Sequence, residues 1–364
     1  MNKITTRQLI VFYFIYTYSI KFLMLPNLLA AEAGRDSWIS ALLGGIVELV
    51  LLFVVCKSME HKPEIDVYQS LRKPFTHVGG AAILLVMFVL FLLQSFITIQ
   101  QTYYLLGQTL YESMNIHQFL IPFLIVAIFF CFMPTRAAFR GGEIFYVLVL
   151  LGIGLALLPA FGKVNTNEVL PILGMGVGGI FNSVYKNLVY FESAIILFMF
   201  KGQTKADEGF TKKFMLASVV GVLVFAAFVF LYYSLFGPLT IFKDIAVVNI
   251  TQVSSYISQN GRLDWIIACI WVILLLIRFG TTFFAAYACI KHITGISSYL
   301  GVISFPLAAG IYSLQVFAIT SLAAFNSFLS NISLIVVIVY VAIPLLFLLS
   351  SFFRQPLAKR GGDV

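Results

Sequence analysis

The chain has 364 residues, of which 61% are hydrophobic and only 10% charged, with a formal net charge of +8. Soluble globular chains run at about 45–50% apolar and about 25% charged, and disordered chains are poorer still in apolar residues, so both classes are excluded. A polytopic membrane protein remains, with the bilayer covering the apolar surface.

The apolar runs are long and unbroken, as in 81–99, 221–236 and 332–353, whereas an outer-membrane barrel would alternate polarity over segments of about ten residues. In chain order the runs predict ten α-helical spans: 8–31, 38–56, 78–106, 119–133, 143–161, 172–200, 213–236, 263–290, 299–325 and 332–353. The first run follows Lys3 and Arg7, and Ala31-Glu32-Ala33 has the look of a signal-peptide cleavage site. It also carries Lys21 and is too long for such a peptide, so it is expected to stay as the first span. The longest polar connection, 237–262, carries Ala246, Ile250, Val253 and Ile257 on one helical face, with Thr251, Ser254, Ser255 and Ser258 opposite. It predicts a short amphipathic helix lying on the outer surface, with a polar loop as the alternative.

Cation placement fixes the expected orientation. With the N-terminus inside, the inner segments hold 16 Lys and Arg and the outer segments four (Arg35, Lys163, Lys243, Arg262). Both termini are then cytoplasmic. Because the positive charge sits in short loops, it gives no reason to expect a nucleic-acid partner. Cys56, Cys131, Cys269 and Cys289 lie in apolar segments without metal spacing, and no zinc motif, P-loop or nucleophile elbow is present, so neither enzyme activity nor a metal or other cofactor is expected.

Interrupted spans at matching places in two halves point to a transporter-like binding site. Span one is interrupted around Tyr18-Ser19-Ile20-Lys21 and then carries Pro26; span six has Gly174, Gly176, Gly178 and Gly179, followed by Asn182-Ser183-Val184-Tyr185-Lys186. Because five helices separate the two, their halves run in opposite directions. The expected organisation is a single transmembrane domain, with residues 7–161 as the first five-helix repeat and 171–325 plus 331–353 as the second. Five charges fall inside the spans, Lys21, Glu48, Lys186, Glu192 and Arg278, where each needs a partner or a wet cavity. Lys21 and Glu48 both lie roughly 15 Å below the outer ends of their helices, by the 1.5 Å rise per residue, and are expected to pair. Arg278 and Lys186 share a similar depth. No pair of carboxylates supports acid–base chemistry.

The segments Ile4-Thr5-Thr6-Arg7-Gln8-Leu9, Leu25-Pro26 and Ala33-Gly34-Arg35-Asp36-Ser37-Trp38-Ile39-Ser40 resemble the B subunit of spore germinant receptors. Pro171, Gly174 and Gly176 resemble the start of that family's sixth helix more loosely. The resemblance implies an amino acid/polyamine/organocation transporter-type fold: ten helices in two inverted repeats. It also implies a location in the spore inner membrane, a small nutrient ligand, and partner A and C subunits. In such folds the ligand sits between the unwound parts of helices one and six, which places Ser19, Ile20, Lys21 and Leu23 beside Gly176, Gly178, Asn182 and Ser183. Segment 237–262 would be the lid. The family commonly has a glycine-containing break in helix one; here Ser19 and Lys21 stand there. A lysine at that place fills the space of a coupling cation, which favours sensing over transport, or else meets a ligand carboxylate. The alternative reading is a secondary active transporter of amino acids or similar small solutes.

Overall fold

The computed structural model describes residues 3–60, 66–110, 115–133, 135–157, 160–252, 263–295, 300–318 and 322–352. Its α-helices are α1 (Thr6–Lys21), α2 (Leu25–Ala33), α3 (Ser37–Glu60), α4 (Val67–Thr109), α5 (Ile116–Phe132), α6 (Thr135–Leu157), α7 (Gly176–Lys186), α8 (Phe210–Phe236), α9 (Ala246–Gln252), α10 (Leu263–Thr294), α11 (Leu300–Ala318) and α12 (Leu322–Phe352). Among the described residues there is no β-sheet, only a parallel bridge between Ile4 and Thr204. The fold is all-α and multi-pass. Among the described residues, five helical stretches are long and apolar enough to cross a membrane: Leu25–Glu60, His77–Thr109, Phe210–Phe242, Asp264–Thr294 and Phe325–Leu348. The bent pair Gly176–Lys186 and Leu188–Phe200 makes a sixth if it counts as one span.

Large apolar side chains point outward as well as inward. Ile46, Val50 and Phe53 of α3 are exposed while Leu51, Leu52 and Val55 are buried, a pattern that only a hydrocarbon solvent rewards. The core is formed where α4 packs on α10, α3 on α8, and α1 on α6 and α10.

Both breaks fall elsewhere than the sequence predicts, for identifiable reasons. α1 runs through Ser19 and Lys21, and the α-helix is interrupted by a turn at Phe22–Met24. Pro26 stands in the first turn of α2 and has no N–H to give the Phe22 carbonyl, so the break sits one turn before the proline. In helix six the glycines do not unwind the chain: Gly176 begins α7 at φ +74°, and the helix then runs through Gly178 to Lys186. A glycine costs a helix roughly 1 kcal/mol but keeps its backbone donor. The break comes after Lys186, at Asn187–Glu192, where the Asn187 amide donates to the Ser183 carbonyl (2.9 Å) and caps the helix end. Short 3₁₀ segments, Leu188–Tyr190 and Ser193–Phe200, continue at 56° to α7.

Other boundaries shift as well. α4 starts at Val67, capped by Asp66, eleven residues before the expected position 78, and α6 and α12 also start early. α9 does not lie on the outer surface: Ala246, Val247, Val248, Ile250 and Thr251 are all buried, so it has no solvent face of the expected kind. The remainder of the expected amphipathic helix, 253–262, lies outside the described residues.

Candidate functional site: two helix breaks around four buried charges

Breaking a helix frees backbone carbonyls, which need donors in a dry interior. At the first break Leu23 N–H turns to Ile20 O (3.3 Å), which frees the Ser19 carbonyl; the Trp271 indole donates to it at 2.8 Å. The Arg278 guanidinium donates to Tyr16 O, and the backbone N–H of Ala246, at the start of α9, donates to Leu23 O at 2.8 Å. Asp244, just before α9, accepts from Asn27 Nδ2 (2.9 Å) and from the Tyr104 hydroxyl (2.5 Å). The segment leading into α9 is therefore tied onto the first break and onto α2 and α4.

Four of the five intramembrane charges converge here. Lys21 forms an ion pair with Glu48, and the two side chains are 1% and 3% exposed. The Tyr13 hydroxyl donates to the other Glu48 oxygen at 3.0 Å. The Lys21 ammonium also lies 4.8 Å from the centre of the Phe191 ring, so it touches both breaks. Gly44 of α3 permits this, because a Cβ there would run into that ring. Arg278 donates to Gln94 Oε1 (2.7 Å) and Thr98 Oγ1 (3.3 Å), with its guanidinium over the Tyr16 ring at 4.2 Å. Gln94 donates onward to the Val189 carbonyl and the Tyr340 hydroxyl, both at 3.4 Å, and Gln101 to the Tyr190 hydroxyl at 3.2 Å. Glu192, in the second break, is buried, and the charges of Arg278, Lys21 and Glu48 all bear on it. Its Oε2 has no hydrogen-bond partner among the described residues. The buried quartet thus holds two basic and two acidic side chains.

The predicted residues divide into separate places. Ser19, Ile20, Lys21 and Leu23 are buried at the first break. Gly178 is exposed and Gly176 half-buried at the far end of α7, eight and ten residues before Lys186, and neither sits at a break. Asn182 and Ser183 face α2 instead of Lys21: Asn182 Nδ2 donates to Glu32 Oε2 (2.6 Å) and Ser183 Oγ to Leu29 O (3.0 Å). Lys186 pairs with Glu32 at 2.5 Å, outside the quartet, so Lys21 and Lys186 do not mark one centre. Sequence reasoning missed Glu32, Gln94, Gln101, Asn187, Tyr190, Asp244 and Trp271. The uncharged polar residues from Gln94 to Thr102, within an otherwise apolar span, were a usable signal. Among the described residues no three His, Cys, Asp or Glu side chains gather as a metal site.

The N-terminal motifs acquire structural roles. Thr5 and Gln8 form a reciprocal capping box at the start of α1. Ile4 exchanges backbone hydrogen bonds with Gln203 and Lys205. Asp36 accepts from the backbone N–H groups of Leu173 (2.7 Å) and Met175 (3.3 Å), Arg35 donates to Leu170 O, and Trp38 packs edge-on against Phe230. The motif around Asp36 thus clasps the end of α2 to the segment leading into α7. A family model described as spore germination protein, a family of spore permeases, matches residues 3–316. The chain belongs to this spore germination protein family. It is also 22% identical over 295 residues to the spore germination protein YndE of Bacillus subtilis strain 168, covering 78% of this chain and 79% of that protein. Both broken helices, the Asp36 clasp and all four quartet residues of this spore germination protein lie within the matched region.

Proposed function

We propose that this spore germination protein is the permease-like, germinant-sensing subunit of a nutrient receptor. It has ten spans in two inverted five-helix repeats, 7–161 and 171–325 plus 331–353, with both termini in the cytoplasm. Its partners are A- and C-type receptor subunits in the spore inner membrane. A small nutrient binds between the breaks of helices one and six. On the first side it meets Ser19, Ile20, Lys21 and Leu23. On the second, the contacts move from the glycines, Asn182 and Ser183 to the Asn187–Glu192 break.

The observation that carries this reading is Lys21, whose ammonium is paired with Glu48 on one helix and lies over Phe191 of the other break. A fixed internal cation supplies at all times what a coupling ion would supply only when bound. Ligand binding then shifts the equilibrium between two conformations, by no more than its differential affinity for them, without requiring an ion to cross. The free oxygen of Glu192 in the second break is available to a polar ligand group.

The test is deletion of this chain in spores challenged with a panel of amino acids, nucleosides, sugars and salts, together with affinity purification from spore membranes. The expected result is loss of response to one nutrient class and co-purification of A- and C-type subunits. Unchanged germination with every nutrient contradicts the proposal.

A further inference from the structure

A crevice of about 260 Å³ opens beside the second break, apart from the buried quartet. Its walls include Glu32 of α2, Lys186 and Asn187 at the end of α7, Tyr190, and Asn326 and Ser330 of α12. Glu32 and Lys186 bring opposite charges to it, with side chains 27% and 40% exposed, so an occupant of the crevice can touch both. An ion pair this accessible adds little net stability, and exchanging it for other partners costs little. The floor is rigid by contrast: Tyr190 is buried and its hydroxyl is held by Gln101. Asn187 and Tyr190 belong to the kink where the chain turns through 56°, so whatever fills the crevice touches the hinge directly.

The volume lies below the roughly 300–1,000 Å³ of pockets for drug-sized ligands, which selects a small solute. The charges select its chemistry. A purely anionic ligand would pair with Lys186 and strand Glu32; a purely cationic one would do the reverse. A solute carrying both an ammonium and a carboxylate satisfies both side chains.

We infer that this crevice is a second ligand site, which takes a small zwitterion by exchanging the Glu32–Lys186 pair for two ligand pairs, and whose occupancy biases the angle of the helix-six break. The inference rests on the sensing reading, which gives a solute reason to arrive there. Without ligand, Glu32 bridges α2 directly to Asn182 and Lys186 of α7. With ligand, the bridge runs through the solute, and α2 and α7 stand further apart. A zwitterionic lipid headgroup offers similar chemistry, so the lipid is controlled in the test.

The full chain is placed in phosphatidylglycerol nanodiscs and equilibrated with radiolabelled glycine, alanine, valine, proline and asparagine. At least one is expected to bind saturably, and its amine-only and carboxylate-only analogues to compete about tenfold or more weakly. Lys186→Gln and Glu32→Gln each weaken binding by about tenfold or more, while Lys186→Arg retains it. Binding by Lys186→Gln equal to the parent reduces the pair to a structural bridge and overturns the inference. Displacement by phosphatidylethanolamine assigns the site to lipid and overturns it too. Absence of saturable binding to the parent also overturns it; if spores still need this chain for another nutrient class, the sensing reading stands alone. Spores that germinate normally without the chain sink that reading instead.

Discussion

Lys21 and Glu48, 27 residues apart in sequence, form an ion pair that is almost wholly excluded from the outside, at the place where α1 is about to break. Two charges taken from water recover the cost of desolvation only with good geometry and further hydrogen bonds. Here the Tyr13 hydroxyl supplies one such bond to Glu48, and the Tyr18 and Phe191 rings lie against the Lys21 ammonium.

Removing one partner strands the other. Lys21→Met and Glu48→Gln are each expected to lower the unfolding free energy by about 3–5 kcal/mol. The double change Lys21→Met with Glu48→Leu costs less than either alone, because no unpaired charge remains. Unfolding in mixed micelles reads all three. If the double variant loses the sum of the singles, the two side chains are not coupled.

Arg278 uses the shape of its head group as well as its charge. Its nitrogens reach Tyr16 O, Gln94 Oε1 and Thr98 Oγ1 together, a spread that a single ammonium cannot copy. Arg278→Lys therefore loses about 1.5–3 kcal/mol despite keeping the charge, the worth of a charged hydrogen bond. Trp271→Phe leaves the Ser19 carbonyl without its donor and costs about 1–3 kcal/mol. Thermal unfolding of both variants in one detergent checks this; parent-like stability for Arg278→Lys would show that the charge alone matters.

The clasp around Asp36 carries a local strain that can be removed. Leu173 is held at φ +62° by its N–H bond to Asp36, and its side chain is largely exposed. Asp36→Ala is expected to destabilise by about 1.5–3 kcal/mol through loss of two backbone bonds to a carboxylate. Leu173→Asn should stabilise by up to about 1 kcal/mol, because Asn tolerates the left-handed region better. A melting temperature for Leu173→Asn below that of the parent contradicts this account.

Burial of α9 gives an accessibility test. With exposed Cys269 replaced by Ser, a cysteine at Ala246 should resist maleimide. Adding Asp244→Ala removes the bonds to Asn27 and Tyr104 and should raise the labelling rate by about tenfold or more. Fast labelling before that change would return the segment to the surface.

The sequence revealed charges better than breaks. Lys21 and Glu48 were matched by depth because helical rise is uniform and a buried charge demands a partner. Pro26 did mark a break, but one turn earlier than itself, where its missing donor is felt. The glycines of helix six misled, since weak helix propensity yields to tertiary contact. Gly179 is needed because its backbone passes close to Glu32 O, where a Cβ would come within 3.0 Å. The break was set by Asn187, an ordinary residue to a pattern search. α9 was read as amphipathic because periodicity records only one wet and one dry face. It does not record that the Leu23 carbonyl and Asn27 wait to receive the segment. Glu32 sat just beyond the first predicted span and so escaped the search for intramembrane charge.

On the proposed function, Lys21 stands in for a coupling ion, so that the protein reads its nutrient without moving it. The most direct measurement is uptake, into liposomes containing this chain, of the radiolabelled nutrient to which its spores respond, under imposed sodium and proton gradients. Binding to the proteoliposomes is expected, with no gradient-driven accumulation above protein-free liposomes. Accumulation that follows either gradient and collapses with an ionophore would contradict it.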